Sequence, residues 1–149
     1  MKQLKLTLLT SMLFFFVACE KSAKDVYLTH IDIAVLNQQG QNLIGAASTY
    51  NESNIKIYQI INGQPQLYNE PNLDADKGFS IINVETGNEK IRVFANYMIR
   101  QPKSEILIKF GNTQVDTINC EFSINEGSAF LEKVWYNGVL KSREFTIIK

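Results

Sequence analysis

From Val26 to Lys149 the chain alternates apolar and polar residues at period two, and turn signals interrupt the alternation at regular intervals. Ile31, Ile33 and Val35 alternate with His30, Asp32 and Ala34, which marks a strand with one buried face and puts His30 on the outer one; Gln39-Gly40-Gln41-Asn42 then breaks the pattern. Residues 54–61 alternate again and run into Asn62-Gly63, a pair suited to a two-residue type I′ turn because both central positions need positive φ. Pro65 removes a ladder donor soon afterwards, so the returning segment 66–69 is expected at a sheet edge.

Three more hairpins follow. Taking Gly87-Asn88 as a two-residue turn sets Val84 opposite Ile91, Ile82 opposite Val93 and Glu85 opposite Lys90. Around Gly111-Asn112-Thr113 two registers are open: a three-residue loop places Ile106 opposite Ile118, and a two-residue loop places Ile108 opposite Val115. Asn137-Gly138 closes the last hairpin and would pair Glu132 with Arg143 and Phe130 with Phe145. The turns recur about every 25 residues, with weaker breaks halfway between, which predicts eight to ten hairpin-linked strands. The fold expected over residues 26–149 is therefore a single all-β domain, an antiparallel β-sandwich that is Ig-like in general architecture. An up-and-down β-barrel is the alternative.

The first residues follow a different pattern. Lys2 and Lys5 precede a twelve-residue, predominantly apolar stretch from Leu6 to Val17, and Val17-Ala18 offers modest side chains before Cys19. This is the form of a cleaved export signal over residues 1–18. The run falls short of the roughly 20 apolar residues that a membrane-spanning helix needs. Phe16-Val17-Ala18-Cys19 resembles the lipobox of bacterial lipoproteins, with Phe16 where Leu is usual, and the alternative is an ordinary cleaved signal. The resemblance implies a mature chain that begins at Cys19 and is held in the membrane by acyl chains on that residue, and so a cell-envelope protein anchored by lipid, in the outer membrane. Two or more chains anchor stably, since each buried methylene contributes about 0.8 kcal/mol. Residues 19–25 read as the lipidated tether, because 20–25 are polar and lack both periodicity and aromatics. The tether has no dense acidic run, so it does not choose between the periplasmic and the surface face.

Composition narrows the partners. Cleavage after residue 18 removes Lys2 and Lys5, leaving 13 of the 15 basic residues against 15 acidic ones; a formal charge of −2 carries no nucleic-acid footprint. With Cys19 acylated, Cys120 has no partner for an intrachain disulfide. It shares a strand face with Ile118, Phe122 and Ile124 and is expected to fill core volume rather than to act as a reactive thiol.

Catalytic and metal signatures are missing from the sequence. His30 is the only histidine, so neither a His-based triad nor a multi-His metal site can be assembled. Asn72, Asp74 and Asp76 open like a calcium loop, but Lys77 stands where Gly is needed and Asn83 where a bidentate Glu would close the site. No metal, cofactor or enzymatic activity is expected. The binding candidates are Trp135 and Tyr136, adjacent to the last turn. Successive strand residues point to opposite faces, so one of these rings belongs in the core and the other at the surface. Trp135 is expected to cap the core; the alternative is a sugar-stacking or partner-binding platform.

The stretches Phe110-Gly-Asn-Thr-Gln-Val-Asp-Thr-Ile-Asn-Cys-Glu121 and Lys133-Val-Trp-Tyr-Asn-Gly138 resemble the C-terminal half of a group of small Bacteroidetes lipoproteins, and Ile55-Lys-Ile-Tyr58 and Asn72-Leu-Asp74 fit the same group. That resemblance implies location and architecture and assigns no functional residue. The function expected is a non-catalytic, lipid-anchored envelope module that contacts a protein or a glycan. A β-barrel carrier of a small apolar ligand is the alternative.

Overall fold

The computed structural model describes residues 26–84, 87–95, 102–125 and 127–149. The expected signal, the expected lipid-attachment residue Cys19 and the expected tether lie outside the described residues, as does Glu85. Among the described residues there are eleven strands and no helix: β1 (Tyr27–Leu28), β2 (His30–Leu36), β3 (Ile55–Ile61), β4 (Gln64–Leu67), β5 (Phe79–Ile82), β6 (Lys90–Phe94), β7 (Lys103–Phe110), β8 (Asp116–Asn125), β9 (Ser128–Tyr136), β10 (Val139–Lys141) and β11 (Glu144–Ile148). β1 and β10 are only two and three residues long, which accounts for the excess over the expected eight to ten.

The strands form two sheets packed as a β-sandwich. The larger runs β1-β9-β8-β7-β3-β4, with β10 also paired to β9, and the smaller runs β11-β2-β6-β5. β1 lies parallel to β9 and β11 parallel to β2, and the other pairings are antiparallel. The sheets do not close on one another, since β4, β5 and β11 end the strand paths; the barrel alternative is set aside. Period-two alternation builds the interior. Ile31, Ile33 and Val35 of β2 and Ile91 and Val93 of β6 meet Ile57, Ile106, Ile108, Phe110 and Ile118 of the larger sheet, all at most 1% exposed.

The Asn-Gly turns form as expected, with Asn62 and Gly63 at φ 52° and 76° and Asn137 and Gly138 at φ 48° and 78°. β4 is an exposed edge. Ile106 stands opposite Ile118, so the loop Gly111–Thr113 has three residues, closed by the Thr113 amide donating to the Phe110 carbonyl at 3.0 Å.

Two expected pairings are corrected. Phe79 faces Val93 and Ile81 faces Ile91, in place of Ile82 with Val93 and Val84 with Ile91, and Lys90 is opposite Ile82 rather than Glu85. Asn83 takes a left-handed φ of 61° and ends β5 early, and the register that results buries Phe79 while leaving Val84 61% exposed. A Phe ring removes more apolar area from water than a Val side chain, so this register gains burial. In the last hairpin the two-residue turn is present, but the pairing stops at Lys141 opposite Val134. The chain then leaves the larger sheet, and β11 adds to the smaller one, with Phe145 opposite Ile33. Phe145 therefore does not pair with Phe130; its ring packs on Tyr136 with centroids 5.4 Å apart. Arg143 likewise meets His30 at 3.3 Å rather than Glu132, and its carbonyl accepts from the Asp32 amide.

His30 does lie on the outer face of β2, where burial and then the Arg92 and Arg143 charges lower its pKa. Arg92 grips Asp32 across the strands with two hydrogen bonds of 2.8 and 2.7 Å, and this contact holds the carboxyl below its ordinary range.

Candidate functional site

The outer face of the larger sheet carries the residues that can meet a ligand. Val134 and Tyr136 of β9 turn inward, so Trp135 between them turns outward. Trp135 is half-buried and Tyr136 is 8% exposed, which corrects the expectation that Trp135 caps the core. The sequence rule that these two rings part company holds; which ring goes inside is decided by register. Tyr136 lies opposite Ile118, an inward position, and Trp135 lies opposite the outward Asn119. A shift in pairing between Glu121 and Phe122 gives β9 an extra residue, so that Leu131 opposite Phe122 and Val134 opposite Cys120 both reach the core.

Register carries the outward row across the sheet. Glu105 is the partner of Asn119, Asn119 of Trp135 and Trp135 of Leu140. Glu105, Asn119 and Trp135 of this row, together with Ile60 and Asn62, line an open groove of about 870 Å³. Its floor includes the Ser104 and Cys120 positions, whose side chains belong to the inward set. Along one side runs a second row, Lys103–Glu121–Lys133, with Glu121 bridged to Lys103 at 3.1 Å and to Lys133 at 3.0 Å. Hydrogen bonds from Lys133 and Lys103 hold the Glu121 carboxyl below its ordinary range. Lys133 Nζ also stands 6.0 Å from the centroid of the Trp135 ring. The result is one large aromatic face framed by an amide, two carboxylates and two ammonium groups.

Cys120 is 2% exposed, and burial pushes its thiol up to about 12 against a weaker lowering influence from Ser104, so it is not a thiolate nucleophile. Asp74 and Asp76 sit in the turn 69–78, which is tied by the Glu70 amide donating to the Asp76 carbonyl at 2.7 Å. Among the described residues no group of three His, Cys, Asp or Glu side chains is placed to hold a metal ion.

A second polar cluster lies inside, at the end of the sheet. Asp116 is 7% exposed and accepts from Asn137 Nδ2 at 2.9 Å and from Lys149 Nζ. Burial alone would raise this carboxyl, but the bonds from Lys149 and Asn137 outweigh it and hold its pKa low. The nearby Tyr136 hydroxyl is buried without a hydrogen bond of acceptable geometry; burial and then the Asp116 carboxylate push its pKa up. Lys149 Nζ also lies 5.5 Å from the Phe110 ring centroid.

Asp116, Lys149 and the groove residues Glu105 and Asn119 were not singled out by the sequence pattern. The groove residues become legible once the three-residue loop at Gly111 is chosen, since that register alone sets Glu105 beside Asn119. Comparison with known proteins returns no matching family model, no similar curated protein and no similar solved structure.

Proposed function

We propose that the chain is a non-catalytic, lipid-anchored cell-envelope protein that binds an extended glycan on the outer face of its larger sheet. The observation that carries this reading is the outward Trp135 beside an open groove lined by Asn119 and Glu105. A saccharide ring has an apolar face and polar edges, so a wide aromatic surface fringed by amide and carboxylate groups matches its chemistry. An open groove also admits a chain passing through it. Glu121, paired with two lysines, is held ionised and offers no proton for acid catalysis. The carrier alternative depended on a closed barrel, which the described strands do not form.

Two experiments test the parts separately. Retention of the mature domain on immobilised envelope polysaccharide should fall about tenfold or more in Trp135→Ala, the effect of removing a central aromatic contact, with the melting temperature little changed. Equal retention of the two proteins would sink the glycan reading, and retention by an envelope protein fraction instead would move the partner to that class. For the anchor, Cys19→Ala should shift the full-length protein from the membrane to the soluble fraction; identical fractionation of variant and parent would overturn lipidation.

A further inference from the structure

We infer that the glycan bound on this face is acidic, and that Lys56 and Lys109 receive its anionic groups; this deepens the glycan reading and rests on it. Lys56 of β3 and Lys109 of β7 are direct cross-strand partners on the outer face. Like charges placed directly opposite destabilise a sheet. Where other basic side chains of these sheets face a charged cross-strand partner, that partner is a carboxylate: Arg92 has Asp32, and Lys103 and Lys133 share Glu121. Lys56 and Lys109 have no ion-pair partner among the described residues.

The two lysines open into a separate hollow of about 690 Å³, bordered by Asn54, Asn112 and Thr113. Asn54 and Thr113 already donate to the Thr49 and Phe110 carbonyls at 3.0 and 2.7 Å and Ser53 donates to Asn51, so the two ammonium groups are the charged donors of the hollow, beside the Asn112 amide and the Thr49 and Tyr50 hydroxyls. Two ammonium groups and no carboxylate in a polar hollow fit a carboxylate, sulfate or phosphate group. A bound anion would also remove the repulsion between the two lysines.

The hollow and the Trp135 groove lie on one surface. Lys109 and Glu105 are four residues apart on β7 and point the same way, roughly 14 Å at the rise of a strand. Tyr58 and Leu107, cross-strand partners on the same outer face, bridge the interval. Along both sites Lys56, Lys103, Lys109 and Lys133 stand against Glu105 and Glu121. This surface is therefore cationic on a mature chain whose formal charge is −2. An extended chain stacked on Trp135 would lay its acidic groups on the lysine pair.

The test uses calorimetric titration of the mature protein with a hexamer of galacturonate and with its methyl ester, which has the same backbone without the charge. The acid should bind about tenfold more tightly than the ester at low salt, the combined effect of two solvent-exposed charge contacts. The Lys56→Gln/Lys109→Gln double variant should bind both alike while melting no lower than the parent. Equal binding of acid and ester by the parent, or a preference that survives in the double variant, overturns the acidic-ligand inference and leaves the glycan reading standing. Binding of neither hexamer by the parent overturns both.

Discussion

Tyr136→Ala is expected to destabilise the domain by about 3–5 kcal/mol, the range for removing a large buried aromatic, whereas Trp135→Ala should cost about 1 kcal/mol or less. The asymmetry follows from facing. Tyr136 is 8% exposed, packs at a tilt against Phe145 with ring centroids 5.4 Å apart and thereby ties β9 of the larger sheet to β11 of the smaller. Losing that ring opens a cavity between the sheets, and against a total stability of roughly 5–15 kcal/mol the loss brings the domain close to unfolding at room temperature. Tyr136→Phe separates ring from hydroxyl. The hydroxyl lies near the Asp116 carboxylate but makes no hydrogen bond of good geometry, so its removal should change stability by about 1 kcal/mol or less. Urea melts of the three variants check this, and similar small losses for both alanine variants would mean that neither ring belongs to the core.

Asp116→Ala is expected to cost about 3 kcal/mol at neutral pH, because it leaves the Lys149 ammonium beside the Phe110 ring without its counter-charge. The figure sits at the lower end for broken buried pairs, since the Lys149 side chain keeps 16% of its exposure. Replacing both members, Asp116→Leu with Lys149→Met, should recover most of the loss, since removing the pair together leaves no stranded charge. The pH dependence has a definite sign. Asp116 has a folded-state pKa below its unfolded value, so its contribution is full above about pH 4 and disappears as pH falls through the folded pKa. Stability measured from pH 6 to pH 2 should therefore fall more steeply in the parent than in the double variant. Equal slopes would remove Asp116 from the account of acid sensitivity.

The legible part of this fold was its local chemistry. Asn62-Gly63 and Asn137-Gly138 specify their turns because few other pairs accept two successive left-handed residues, and the Ile31-Ile33-Val35 alternation gives the buried face of β2 directly. What local pattern could not supply was the choice among partners at long range. After Lys141 the chain can continue along β9 or cross to β2, and the sequence around Ser142-Arg143 favours neither by pattern alone. The crossing gains Phe145 on Tyr136 and puts Ile147 in the core at 7% exposure, and it rests on pairing with β2, more than a hundred positions away. The slip at β5–β6 has the same origin: a Gly-Asn pair invites a two-residue turn, and the burial of Phe79 overrides it. For the candidate site, the pair Trp135-Tyr136 was visible, but its facing hinges on the extra residue in β9 near Glu132, which no turn or periodicity signal marks.

Trp135 is the only tryptophan in the chain, so its emission reports on the groove and on nothing else. Titrating the mature protein with oligosaccharides released from the cell envelope, while following that emission and the heat of binding in parallel, tests directly whether the outer face of the larger sheet is a glycan site. A saturable change in emission whose midpoint matches the calorimetric one, lost from the heat signal in Trp135→Ala, is the predicted result. Heat of binding with unchanged Trp135 emission would place the glycan elsewhere on the molecule, and no binding of any envelope oligosaccharide would contradict the account at its centre.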